Sequence, residues 1–269
     1  MLYLWITLGI CYGLALIALF VWLNNSLLTT TEYTVKTEKL PAPVRIVHLS
    51  DLHGKSFGSH NSRLVARVAR LRPDFIVITG DIIHKYTDKN IKVALSAVSS
   101  LSLVAPVLYV SGNHELRGLE YRLFAKQLKE AGATVLDDCS ADICGLTVTG
   151  LKCSSQKNGA VQRLAPSQAA QKSVNILLAH KPHFLEAYAP LGFDLILSGH
   201  AHGGQWRIPF TKTGIYAPGQ GLFPKLTSGL HTRGNTKMII SRGLGNSECP
   251  LRLFNPPELV VINLMLEKN

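Results

Sequence analysis

VRIVHLS (44–50), followed at once by Asp51-Leu52-His53, carries the pattern that organises this chain. A short run of β-branched and apolar residues predicts a buried strand, and the polar residues at its carboxyl end predict an abrupt exit into a loop. The arrangement returns four times. FIVIT (75–79) runs into Gly80-Asp81, VLYVS (107–111) into Gly112-Asn113-His114-Glu115, NILLA (175–179) into His180-Lys181-Pro182, and DLILS (194–198) into Gly199-His200-Ala201-His202-Gly203-Gly204. In open α/β sheets ligands bind outside the carboxyl ends of the strands. Five ends that each carry Asp, Asn or His are therefore expected to meet at one site.

Outward from these runs, residues 60–72, 88–103 and 118–131 have apolar residues at helical spacing. Strands and helices alternate from residue 44, which predicts a parallel sheet covered by helices. The second half has fewer helices. Residues 134–136 and 146–150 read as strands joined by a turn, and 175–179, 194–198, 237–241 and 258–264 follow, so a second sheet packed on the first is expected. Residues 203–236 form a long Gly/Pro-rich segment without periodicity, and loops of that length in a compact domain are usually functional.

The first 31 residues contain no charged side chain, and residues 2–23 are almost wholly apolar. Twenty-two residues at a rise of ~1.5 Å give ~33 Å, enough to cross a bilayer core. A retained anchor is expected rather than a cleaved signal, because the run has neither a basic n-region nor a small-x-small site after it. Lys36, Lys39 and Arg45 follow the span and no basic residue precedes it. The positive-inside bias thus favours a cytoplasmic catalytic domain at a bacterial inner membrane, the periplasmic face being the alternative. Residues 24–43, Thr-rich and ending in Pro41-Ala42-Pro43, are expected to be a polar linker.

The five cysteines show no metal or redox spacing and read as reduced thiols, which also favours the cytoplasm. The net charge of +11 is unevenly spread. Arg63, Arg67 and Arg70 fall on one helical face, suited to solvent or to anionic headgroups. The stretch between Asp194 and Glu248 contains six basic residues and no acid, Arg207 and Arg242 among them. No aromatic-interleaved or groove-reading pattern accompanies these charges, so nucleic acid is not an expected partner.

A lone Asp after a strand is usually a turn former and a lone His is usually packed or solvated. Coincidence changes the odds: five of the ten histidines, His53, His114, His180, His200 and His202, stand at strand ends. With Asp51, Asp81 and Asn113 they make a donor set of imidazole and carboxylate without thiolate, which suits Mn, Zn or Fe. A donor set of this size is too large for one ion and suits two divalent ions sharing a carboxylate, a pair able to clamp the attacking and leaving oxygens of an in-line displacement.

DLH, GD, GNHE, His-Lys-Pro and GHAHGGQ, in this order, resemble the calcineurin-like metallophosphoesterase superfamily over residues 44–265. GHAHGGQ together with SRGLG (241–245) and NPPEL (255–259) resembles its YkuE/YaeI-like branch of membrane-associated phosphodiesterases, to which the UDP-2,3-diacylglucosamine pyrophosphatase LpxG is similar. The resemblance implies an α/β/β/α sandwich of two mixed sheets flanked by helices, carried on one N-terminal transmembrane helix: anchor 1–23, linker 24–43, metallophosphoesterase domain 44–269. It also implies that Asp51, His53 and His202 bind one ion, that Asn113, His180 and His200 bind the other, and that Asp81 bridges. His114 then serves the leaving oxygen as a proton or hydrogen-bond donor, with a hydroxide shared by the ions, Mn first among them, as nucleophile. The family's GD motif often continues to a carboxylate where this chain has Ile82-Ile83-His84, a departure from the family pattern.

These readings make the chain a hydrolase of a phosphodiester or diphosphate bond in a membrane-associated anionic substrate. A lipid-linked sugar nucleotide such as UDP-2,3-diacylglucosamine, as in lipid A synthesis, would place its phosphates on basic groups such as Arg207 and Arg242 and its acyl chains on Trp206, Ile208, Phe210, Ile215, Tyr216, Leu222 and Phe223. Packing of that loop onto the domain is the equal alternative for these apolar residues. His84, three residues past Asp81, is near enough to touch substrate, although a supporting or solvated place suits it better. A metal-binding scaffold without catalysis is the rival class, weakened by the intact ligand set and His114.

Overall fold

The computed structural model describes every residue except 156–159, 167–171, 248 and 268–269. Helix α1 (Leu2–Ser26) is followed by β1 (Thr29–Thr37), β2 (Val44–Leu49), α2 (Ser62–Leu71), β3 (Phe75–Ile78), α3 (Asp88–Ser102), β4 (Val107–Tyr109), α4 (Tyr121–Glu130) and β5 (Ala133–Val135). The chain continues through β6 (Cys139–Ile143), β7 (Leu146–Leu151), α5 (Ala160–Arg163), β8 (Val174–Ala179), α6 (Leu185–Tyr188) and β9 (Leu195–Ser198). It ends in β10 (Tyr216–Ala217), β11 (Gly221–Leu222), β12 (Gly229–Arg233), β13 (Thr236–Ile240) and β14 (Glu258–Leu266).

Two six-stranded mixed sheets result, ordered β1-β14-β2-β3-β4-β5 and β12-β13-β9-β8-β7-β6. Period-two alternation sorts the side chains between layers. In the first sheet Val47, Leu49, Ile76 and Ile78 pack outward against Leu64 and Val68 of α2, Val98 and Leu101 of α3, and Phe124 of α4. Their neighbours Ile46, Phe75, Val77 and Leu108 point inward and meet Val148, Ile176, Leu178, Leu195 and Ile239 of the second sheet. The opposite face of that sheet, with Leu177, Ile196 and Met238, is covered by Leu185 and Tyr188 of α6 and by Phe193. The architecture is an α/β/β/α sandwich, as the resemblance implies.

Several elements differ from the sequence reading. Residues 24–43 are not a linker: β1 occupies most of them and pairs in parallel with β14 from Thr29↔Glu258 to Thr37↔Leu266. The β-branched TTTEYTVKT run suits an edge strand, and β14 supplies the backbone partners it needs. Strands β5 and β7 are not a hairpin but lie in different sheets. The partner of β7 is β6, closed by Cys144 (φ 52°) and Gly145 (φ 75°), both in the left-handed region that two-residue hairpin loops require. Strand β14 returns to the first sheet, antiparallel to β2, rather than extending the second.

Helix α1 is long and apolar enough to cross a membrane. It ends at Ser26 rather than at residue 23, and its foot is tied to the segment before β14. Asn25 Oδ1 accepts the Arg252 N–H (3.0 Å), Asn25 Nδ2 donates to the Arg252 carbonyl (3.2 Å), and Asn24 Oδ1 accepts the Asn255 N–H (3.3 Å). The Phe20 ring lies 4.9 Å from that of Phe254.

Ile262 of β14 is fully buried between the sheets. Ile262→Ala is expected to cost about 2–5 kcal/mol of stability by urea denaturation; a cost near zero would mean that β14 is not part of this core.

Candidate metal centre

The five strand ends do meet. Beyond β2 and β3 the backbone continues the ladder for a few residues: the Asp51 N–H donates to the Gly80 carbonyl (3.0 Å) and the His53 N–H to the Asp81 carbonyl (3.0 Å). Side chains then stitch the loops together. Asp81 Oδ1 accepts the His114 N–H (2.8 Å), and both Asp51 oxygens accept the His200 N–H (3.1 and 3.0 Å). Glu115, fully buried, accepts the N–H groups of Asp81 (2.9 Å), Ile83 (3.1 Å) and Gly112 (2.8 Å).

This packing leaves no room for side chains at the preceding glycines. A Cβ on Gly112 would lie 2.1 Å from Asp81 Oδ1, and one on Gly199 would lie 1.8 Å from Ser50 Oγ and 2.4 Å from Asp51 Oδ2. The turns are correspondingly tight. Asp51 (φ 54°), His53 (φ 51°), Asp81 (φ 51°), His200 (φ 66°) and His202 (φ 49°) all occupy the left-handed region. Asp and His enter it more easily than most residues, but each such position still costs ~1–3 kcal/mol, strain that concentrates at functional sites.

Among the described residues the donors form three groups that could hold a metal ion: Asp51, His53 and His202; Asp81, His180 and His200; and His53, His84 and His114. Within them His202 Nε2 is 3.5 Å from Asp51 Oδ1 and 3.0 Å from His53 Nε2, while His180 Nε2 is 3.2 Å from Asp81 Oδ2 and 3.2 Å from His200 Nδ1. Asn113 Oδ1 is 3.2 Å from His180 Nε2. Asp81 Oδ2 also lies 3.8 Å from His53 Nε2, so it faces both of the first two groups.

Fit to a cation can be judged from the protons. His180 Nδ1 donates to the Thr79 carbonyl (2.7 Å), which leaves Nε2 aimed at the cluster. Burial pushes His53 down to about 3 and holds His200 and His202 well below the ordinary imidazole value, so these rings present lone pairs. Burial would lower His180 as well, but the Asp81 carboxylate raises it to about 9, and in return Asp81 is held well below the usual carboxylate range despite its burial. Burial raises Asp51 to about 6. Two buried carboxylates, three imidazoles kept neutral by burial and a fourth, His180, charged against Asp81, with nitrogen–nitrogen separations near 3 Å, form a set whose donor chemistry suits a divalent cation in place of the His180 proton.

His114 holds its Nδ1 proton on the His84 carbonyl (2.8 Å), an obligate acceptor, and turns Nε2 toward Asp81 Oδ2 at 3.9 Å. His84 Nδ1 lies 3.4 Å from His53 Nδ1. A cavity of about 430 Å³ opens over this cluster, lined by Asp81, Asn113, His114, His200 and His202 on its floor and by Arg117, Trp206, Tyr216 and Cys249 toward its mouth.

Arg207 and Arg242 do not line that cavity. Arg242 pairs with Glu258 (3.0 Å) and donates to Thr29 Oγ1 (3.1 Å), so Glu258 at the start of β14 draws it toward the first sheet, while the Arg207 N–H donates to the Leu253 carbonyl (3.1 Å). Arg117, Glu115 and the fully buried Arg252 have no role in the sequence reading. Glu115 stands in the GNHE stretch itself, and its position directly after His114 is the signal that could have found it. The Arg252 guanidinium donates to the Gly245 and Arg242 carbonyls and places Nη2 3.3 Å from His202 Nδ1, while Asn255 Nδ2 donates to the His202 carbonyl (2.7 Å).

Residues 44–204 match the calcineurin-like phosphoesterase family, and the chain belongs to it. It is a metal-dependent phosphoesterase, in a family that uses divalent metals. Relatives include the metallophosphoesterase YkuE of Bacillus subtilis (28% identity; 90% of this chain and 87% of that one) and a metallophosphoesterase of Campylobacter jejuni (30%; 97% and 71%). The phosphodiesterase YaeI of Escherichia coli is 30% identical over 83% of each chain.

Gly112→Ala is expected to cost about 1–3 kcal/mol by pushing Asp81 aside, and to lower bound metal measured by mass spectrometry of the purified protein. Unchanged metal content would show that Asp81 needs no such close seat.

Proposed function

We propose that the chain hydrolyses a phosphodiester or diphosphate bond in an amphiphilic, membrane-associated substrate, with two divalent ions held by the first two donor groups. The observation that carries this reading is the place of Asp81, whose Oδ2 faces His180 on one side and His53 on the other. Asp51, His53 and His202 would hold one ion, Asn113, His180 and His200 the second, and Asp81 would contact both. Bound ions, with Mn the first expectation and Zn or Fe the others, supply Lewis-acid polarisation of the phosphoryl group and a water acidified toward neutrality.

The remaining work falls to the protein's own groups. His114, fixed by the His84 carbonyl, would present a protonated Nε2 to the leaving oxygen. Arg117 at the cavity wall would hold a substrate phosphate. The name of the YaeI relative supports a diester as substrate.

The membrane part rests on a chain of contacts. Phe254 packs on Phe20 of the apolar helix, the neighbouring Leu253 bridges Trp206, and Trp206 lines the cavity. The cavity mouth would therefore open beside the bilayer, on the cytoplasmic side by the positive-inside bias, with exposed Tyr216, Leu222 and Phe223 close in sequence to receive acyl chains. UDP-2,3-diacylglucosamine is one substrate of this chemistry.

His114→Ala is expected to lower hydrolysis of bis-p-nitrophenyl phosphate about 100-fold or more while bound metal stays unchanged; wild-type rate in that variant would exclude His114 as the donor. Chelation with EDTA is expected to abolish turnover and Mn²⁺ to restore it. Turnover of the nitrophenyl diester but never of UDP-2,3-diacylglucosamine would exclude the sugar-nucleotide substrate and leave the reaction class standing.

A further inference from the structure

Away from the metal centre, three arginines of α2 gather at the foot of α1. Arg63, Arg67 and Arg70 are exposed and lie at i, i+4 and i+7, while Leu64 and Val68 of the same helix are buried in the core. With Ala66 they line one side of a groove of about 280 Å³, and Leu27 and Leu28 line the other. Arg63 Nη2 donates to the carbonyl of Ser26, the last residue of α1 (3.4 Å), and Arg67 reaches Thr30 Oγ1 through Nε (3.3 Å) and Nη2 (3.2 Å). No acidic residue occurs between Asp51 and Asp74, and among the described residues none of the three arginines is in an ion pair.

The groove has two chemistries at one depth. If residues 2–23 fill the ~30 Å hydrocarbon layer, Asn24 to Ser26 stand at the headgroup level, and the arginines that touch Ser26 and Thr30 stand there too. A small anion in solution would use the guanidinium groups but would have no use for Leu27 and Leu28. A phospholipid uses both.

We propose that this groove binds the headgroup phosphate of an anionic phospholipid, with the glycerol and the roots of the acyl chains against Leu27 and Leu28. The proposal rests on the membrane reading of α1 and adds a site to it. Besides the helix itself, a bound lipid gives the domain a second attachment, which fixes how the active-site cavity is presented to the bilayer. Guanidinium groups bind the phosphate by forked hydrogen bonds that a neutral headgroup with its own cation would weaken.

The test uses the full chain in dodecyl maltoside micelles doped with phosphatidylglycerol or with phosphatidylcholine, and native mass spectrometry to count retained lipids. The wild-type chain is expected to retain phosphatidylglycerol over phosphatidylcholine by about tenfold or more. Arg63→Gln and Arg67→Gln should each reduce that preference about fivefold, and the triple variant with Arg70→Gln should abolish it while keeping hydrolysis of bis-p-nitrophenyl phosphate within about twofold. A preference that survives the triple variant, or that is missing in the wild-type chain, overturns the proposal. Displacement of the lipid by millimolar inorganic phosphate also overturns it, because the groove would then be a site for free phosphate. Carbonate extraction of membranes reads the anchor separately: release of the wild-type chain removes the membrane reading itself, whereas a retained chain without lipid preference removes the groove alone.

Discussion

The Asp81 carboxylate is the constraint around which the catalytic face is built. It is almost wholly shielded from solvent, and a buried charge is tolerated only when paired. One oxygen is occupied by the His114 N–H, the other faces the imidazoles of His180, His53 and His114, and its backbone N–H is taken by Glu115. These contacts come from the loops after β2, β4 and β8, so holding Asp81 in place draws those loops and its own β3 loop into one small volume, and Asp51 brings in the β9 loop by accepting the His200 N–H. Gly112 and Gly199 and the left-handed backbone at Asp51, His53, Asp81, His200 and His202 follow from the same crowding.

Electrostatics gives that volume its purpose. Three of the imidazoles are held neutral by burial, whereas His180 is raised against its own burial chiefly by Asp81, with Asp51 and the Thr79 carbonyl adding to it. A cluster of carboxylates and imidazoles without thiolate has the donor chemistry that suits a divalent cation. The strain in the turns and the burial of like groups are sustained by the two sheets beneath, whose shared apolar layer does not depend on the site.

A second linkage joins the apolar helix to this face. Asn25 binds the backbone of Arg252, and the Arg252 guanidinium reaches His202 while bracing the carbonyls around it. Asn255, three residues on, clamps the His202 loop and is itself bound by Asn24. The foot of α1 is thus tied to the loop that carries His202 rather than joined by a flexible tether, and β1 follows it with only Leu27 and Leu28 between.

Hydrophobic periodicity and the polar residues that interrupt it determined much of this by themselves: the parallel strands β2, β3 and β4 with their helices, the two-sheet architecture, and the identity of Asp51, His53, Asp81, Asn113, His114, His180, His200 and His202 as residues that gather. Those signals are local, because a buried strand and its exit are written in adjacent residues. Tertiary structure alone decided that Thr29–Thr37 is an edge strand and that β14 completes the first sheet, since both depend on which strand offers an open backbone edge. It also turned Arg242 toward Glu258, kept Arg207 out of the cavity lining, brought Arg117 to the cavity and buried Arg252 behind His202. The direction of a long cationic side chain is set by the charges and space that distant segments provide, and no stretch of sequence around it encodes them.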